Sequence, residues 1–241
     1  GFSRWCVNGC MRLPARPSMP AAARSGRLRV RLSVEQLVLL ASLFWLLSAN
    51  AGFFSGALRS RAFTQTTDWL YALGLVVLLP VLHALGLLLL ATARTVKPLI
   101  ALFTLASALG IYALEYHGAV PEPQLLRQWL QAGAGPLSKE GLSWALLPCL
   151  LLYAGLPIFL LCQVELVRPQ SRRAALRVRL RWLLTLAALG AGALWLVRQP
   201  LQVQLQQQPQ LLYLMAPGTY LWSLEQVLAA ELGLPSEAAT H

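Results

Sequence analysis

Residues 34–54 read VEQLVLLASLFWLLSANAGFF. The run from Val34 to Phe54 holds about 21 residues, and at ~1.5 Å of rise per residue a helix of that length crosses the ~30 Å hydrocarbon layer of a bilayer. Glu35 and Gln36 sit at one edge of it, where a polar group costs little. The chain is 57% hydrophobic and 12% charged, against about 25% charged residues in a soluble domain. A water-soluble fold is therefore excluded, and an all-α polytopic membrane protein is expected.

Four further runs of spanning length follow: Trp69 to Thr92, Pro98 to Tyr116, Leu142 to Leu166 and Leu180 to Val197. The second contains Pro80, His83 and Gly86, and a kink near Pro80 is expected, since membrane helices tolerate an interior proline when neighbours satisfy the freed carbonyl. Between the third and fourth runs lies Glu115 to Gly141, with Pro121, Pro123, Gly133, Gly135 and Pro136. A connection that long is where function usually sits.

The net charge of +11 could suggest nucleic-acid binding, but the basic residues flank the apolar runs and do not line one surface. Arg4, Arg12, Arg16, Arg24, Arg27, Arg29, Arg31, Arg94, Lys97, Arg168, Arg172, Arg173, Arg177, Arg179 and Arg181 fall on one side of five spans. Arg59, Arg61, Arg127, Lys139 and Arg198 fall on the other. The positive-inside rule then puts the N-terminus in the cytoplasm and the C-terminus outside, and the partners are anionic lipids, not nucleic acid.

Residues 1–31 carry seven arginines and three prolines and read as a disordered cytoplasmic arm; Met11 or Met19 is a candidate initiator. Residues 32–198 form the five-span domain, and 199–241 a polar linker, rich in glutamine up to Gln210, followed by an interfacial amphipathic helix from about Thr219. Cys6, Cys10, Cys149 and Cys162 lack metal or redox spacing. His83, His117 and His241 are too scattered to hold zinc, so no metal site is assigned. His83 reads as a packing histidine bonded to a neighbouring carbonyl, Glu165 as a partner of Arg168 or its neighbours, and Trp45, Trp69, Trp144, Trp182 and Trp195 as interfacial anchors.

Several stretches resemble the membrane domain of bacterial phosphoethanolamine transferases that modify lipid A. Asn50-Ala51-Gly52-Phe53-Phe54 resembles the family's Asn-x-x-Phe-Phe, and Lys97-Pro98-Leu99 its Lys/Arg-Pro-Leu at the start of the third helix. Tyr116 to Glu122 resembles Tyr-Gly-x-x-x-Asp, and Met215-Ala216-Pro217-Gly218-Thr219 resembles Ser-Pro-x-Asn, where the family's chain leaves the membrane. The resemblance implies transfer of phosphoethanolamine from phosphatidylethanolamine to lipid A at the bacterial inner membrane, by a zinc-dependent periplasmic domain expected beyond this chain. The chain alone is then expected to be inactive, with no catalytic residue of its own. The family's loop motif Asp-x-x-Met-x-x-Asn-x-x-x-Thr-x-x-x-Glu falls on Glu122, Leu125, Gln128, Ala132 and Pro136, of which Glu122 and Gln128 keep related polar chemistry as substrate-binding candidates. The alternative is a non-enzymatic polytopic protein serving transport or assembly, against which stands the absence of paired intramembrane carboxylates.

Overall fold

The computed structural model describes residues 30–59, 61–118, 127–128, 144–167, 171–219, 222–223 and 225–226. The first helix, α1 (Val34–Ser48), starts where Ser33 and Gln36 cap each other: the Ser33 hydroxyl accepts from the Gln36 N–H at 3.2 Å, and the Gln36 side chain accepts from the Ser33 N–H at 3.0 Å. These reciprocal bonds satisfy two donors that a helix start leaves open. The expected single span from Val34 to Phe54 is not straight. It breaks after Ser48 and resumes as α2 (Ala51–Leu58), bent by 57°. At the break the Trp45 carbonyl accepts both the Ala49 N–H at 3.0 Å and the Asn50 side-chain amide at 2.9 Å. A side-chain donor thus enters the backbone ladder, which is a recognised cause of helix bending.

Helix α3 (Thr66–Leu90) continues through Pro80, and α4 (Val96–His117) ends on Gly118 in the left-handed conformation. Helix α5 (Leu146–Gln163) contains a wide π-turn at Leu151–Gly155. It stops short of the expected Leu166 because Val164–Leu166 is a strand, β2, paired in parallel with β1 (Val30–Leu32). Val30 and Arg31, expected in the disordered arm, are thereby ordered at one end of the bundle, while residues 1–29 lie outside the described part. The Lys97 ammonium donates to the Val164 carbonyl at 2.6 Å, closing the turn where α5 gives way to β2. Glu165 reaches Arg31 at 3.7 Å; Arg168 lies outside the described residues.

The last long helix, α6 (Arg172–Gln207), has 36 residues, far beyond the expected Leu180 to Val197. At ~1.5 Å per residue it is roughly 54 Å long, nearly twice the ~30 Å hydrocarbon layer. The glutamine-rich stretch read as a linker is therefore helical up to Gln207, and a short 3-10 turn, Pro209–Leu214, follows.

Helices α3 and α6 pack most extensively, and small residues let them approach. A Cβ on Gly74 would overlap the Val197 side chain, and one on Gly190 would stand 3.0 Å from Val81. Without a hydrophobic drive between helices in lipid, close packing of this kind is what holds them together. At the end of the bundle that carries the β1–β2 ladder, one Arg179 nitrogen donates to the carbonyls of Leu88 and Ala91, the latter at 2.7 Å, capping α3. One core surrounds Trp45, with Val38, Ala84 and Leu87; another surrounds Phe53, Tyr71, Leu75 and Val197. Trp45, expected as an interfacial anchor, is wholly buried: it meets Phe103 and His83 edge to face and donates to Thr104 at 3.2 Å. Trp69, Trp144 and Trp195 are exposed. Helices α5 and α6 leave most of their apolar surface uncovered, the surface that faces lipid in a membrane protein.

Candidate functional site

Helix alternation gathers the α1–α2 break, the loop before α3, the end of α6 and the turn beyond it at one end of the bundle, opposite the β1–β2 ladder. Asn50 is the fixed point there. Fully buried, it donates through Nδ2 to the Trp45 carbonyl and, at 3.1 Å, to the Ala216 carbonyl. Two carbonyl neighbours require the NH₂ group on that side and leave Oδ1 pointing elsewhere, with no hydrogen-bond partner. The Nδ1 of His83 is likewise buried without a hydrogen-bond partner. The Ser223 hydroxyl is buried and unpartnered too. Buried polar atoms are normally bonded to protein or water, so these three are positions for ordered water or a polar ligand atom.

A second polar network lies beside the first. Gln204 accepts from the Tyr71 hydroxyl at 3.0 Å and donates to the Gly56 carbonyl at 3.2 Å, tying α6 to α2 and α3. The Arg61 guanidinium bonds Asp68 at 3.1 Å and lies over the Tyr71 ring, 4.7 Å from its centroid. This ion pair forms one wall of an open groove of about 690 Å³, which Gln65, Gln199, Val203 and Gln207 also line. Sequence reasoning missed the groove: it treated Arg61 as a topology signal and the glutamines as linker. The signal present was the spacing of Gln199, Val203 and Gln207, which share one helical face.

Of the two candidates from sequence, Gln128 is helical and exposed, and Glu122 lies outside the described residues, as do Trp129 and Glu140. A carboxylate that is described, Glu115 at the end of α4, is exposed and close enough to Tyr153 to act on it electrostatically. Beyond the Ala216 turn, Gly218, Thr219, Trp222, Ser223, Glu225 and Gln226 are helical, with Trp222 stacked on Tyr213 at 6.5 Å. Among the described residues no group of three or more His, Cys, Asp or Glu could hold a metal.

Four helices are long and apolar enough to cross a membrane, or five with the bent pair α1–α2 counted as one span. The architecture is thus that of a multi-pass integral membrane protein with a polar, partly helical end. Residues 75–232 match the sequence profile of the N-terminal region of phosphoethanolamine transferase EptA/EptB. The chain belongs to this phosphoethanolamine transferase family and carries its membrane domain. Its fold is similar to that of the integral membrane protein lipooligosaccharide phosphoethanolamine transferase A (EptA) from Neisseria meningitidis, with a TM-score of 0.75 and 17% identity over 85% of this chain. The chain spans 38% of that protein. No curated protein sequence matches the chain.

Proposed function

We propose that this membrane domain serves a phosphoethanolamine transferase of the bacterial inner membrane, with phosphatidylethanolamine as donor and lipid A or a related glycolipid as acceptor. The N-terminus lies in the cytoplasm and the Ala216 end in the periplasm. The family match over residues 75–232 carries the reading, and the basic residues concentrated at the ladder end support the orientation. The domain's work is to bind and place lipid at the outer leaflet. Glu122 attracts the ethanolamine ammonium, and Gln128 bonds phosphate or glycerol oxygens. The family's zinc-dependent transfer step is assigned to the part of the similar EptA that this chain, spanning 38% of it, does not cover.

The test is a chimera. The chain, joined after Leu234 to the soluble domain of a known phosphoethanolamine transferase, is expressed in a polymyxin-sensitive host, and lipid A is examined by mass spectrometry. The chimera should add phosphoethanolamine, whereas the chain alone and the soluble domain alone should not. A chimera that inserts and folds but leaves lipid A unmodified would sink the proposal.

A further inference from the structure

We infer that the groove between the Arg61–Asp68 pair and the outer end of α6 binds the neutral, polyhydroxylated headgroup of a glycolipid. Three observations lead there. The first is charge. The Arg61 guanidinium is matched by Asp68 at 3.1 Å, and both side chains are largely shielded, 27% and 13% exposed. The groove therefore presents no net charge: an anionic headgroup would meet an already compensated cation, and a zwitterion would have to part the pair to engage both halves. Hydroxyl groups need neither. They donate to the remaining lone pairs of the carboxylate and accept from the remaining guanidinium N–H groups while the pair stays closed.

The second observation is the composition of the facing wall. Gln199, Val203 and Gln207 follow one another at helical spacing along one face of α6, with Gln65 across the groove. A primary amide both donates and accepts, the same dual capacity as a hydroxyl, and Val203 adds an apolar strip for ring C–H groups. The groove is also preorganised: the Tyr71 ring under Arg61, and Gln204 bonded to both Tyr71 and Gly56, hold its floor.

The third observation is depth. Helix α6 is roughly 54 Å long and its apolar middle ends near Val197, so its glutamine face stands just beyond the ~30 Å hydrocarbon layer. That is where lipid headgroups lie. The volume of about 690 Å³ falls within the ~300–1,000 Å³ of small-molecule sites. The inference rests on the groove's chemistry and not on the transfer reaction, so either can fail while the other stands.

The full chain, reconstituted in phosphatidylcholine nanodiscs so that no sugar-based detergent competes, is offered monoglucosyl diacylglycerol, phosphatidylethanolamine or phosphatidylglycerol of the same acyl composition. Retained lipid is counted by native mass spectrometry. Gln199→Ala with Gln207→Ala should reduce retention of the glucosyl lipid by about fivefold for each amide lost and leave retention of the two phospholipids as in the unaltered chain. Gln202→Ala with Gln206→Ala, on another face of the same helix, should leave glucosyl-lipid retention unchanged. Asp68→Asn should release Arg61 and raise phosphatidylglycerol retention. Glucosyl-lipid retention that Gln199→Ala with Gln207→Ala leaves unchanged, or equal losses in the two glutamine pairs, would overturn the inference.

Discussion

The side-chain amide of Asn50 holds the carbonyl of Ala216 at 3.1 Å across 166 residues of sequence, and both residues are fully buried. The bond joins the break in the first span to the turn at which the chain leaves the last one. Asn50→Ala should leave the Ala216 carbonyl without that donor and lower stability by about 1–3 kcal/mol, the usual cost of an orphaned buried group. Thermal unfolding in detergent, followed by fluorescence-detected size exclusion, checks it. The same variant should open residues 211–219 to protease before the rest of the bundle. A wild-type melting temperature would show that the bond is incidental.

Gly74 lies under Val197 with no room for a methyl group. Gly74→Ala should therefore push α3 and α6 apart and cost about 1–3 kcal/mol. Gly192 in the same helix pair has nothing within 4 Å of the site a Cβ would occupy. Gly192→Ala should be neutral or stabilising by up to about 1 kcal/mol through helix propensity alone. The two melting curves, measured side by side, separate packing from propensity.

Among the basic residues at the start of α6, Arg179 is set apart by its bonds to the Leu88 and Ala91 carbonyls. Arg179→Ala should cost about 1.5–3 kcal/mol, as loss of charged hydrogen bonds does. Arg177 is exposed, and Arg177→Ala should stay within about 0.5 kcal/mol of wild type. Equal effects of the two substitutions would reduce Arg179 to one more lipid-facing charge.

Orientation is open to a direct assay. Alkaline phosphatase fused after Thr219 should be active in the periplasm, and a fusion after Arg173 should be inactive. The reverse pattern would invert the assignment drawn from the basic residues.

Much of the bundle was legible because hydrophobic runs of spanning length are set by bilayer thickness, and three of the four stretches that resembled the family fall on contact points. Asn50 bends the first span, Lys97 closes the α5–β2 turn, and Ala216 receives the Asn50 amide. What was not legible depended on partners distant in sequence. The bend at Asn50 arises from a side chain competing for a backbone carbonyl, which hydropathy does not register. The burial of Trp45 follows from Phe103 and Thr104 on α4, invisible from its place within an apolar run. The helical state of Gln199 to Gln207 follows from Gln204 being held by Tyr71 and Gly56, so tertiary contacts settle what composition alone read as a linker. The groove was missed for the same reason, since its two walls come from separate segments.

The β1–β2 ladder imposes an order on assembly. Val30–Leu32 leaves the ribosome before the first span, yet its only strand partner among the described residues, Val164–Leu166, is made after α5. During all the intervening synthesis the N-terminal flank of α1 has no ladder to hold it, and the span is retained in the bilayer by its hydrophobicity alone. When Val164 to Leu166 appears, the parallel pairing and the Lys97 bond form together, and the first and fourth spans become fixed to each other. The ladder thus acts as a latch that can close once α3, α4 and α5 have been made and before α6 follows, and a nascent chain stalled before Val164 would carry an insertable but unlatched first span.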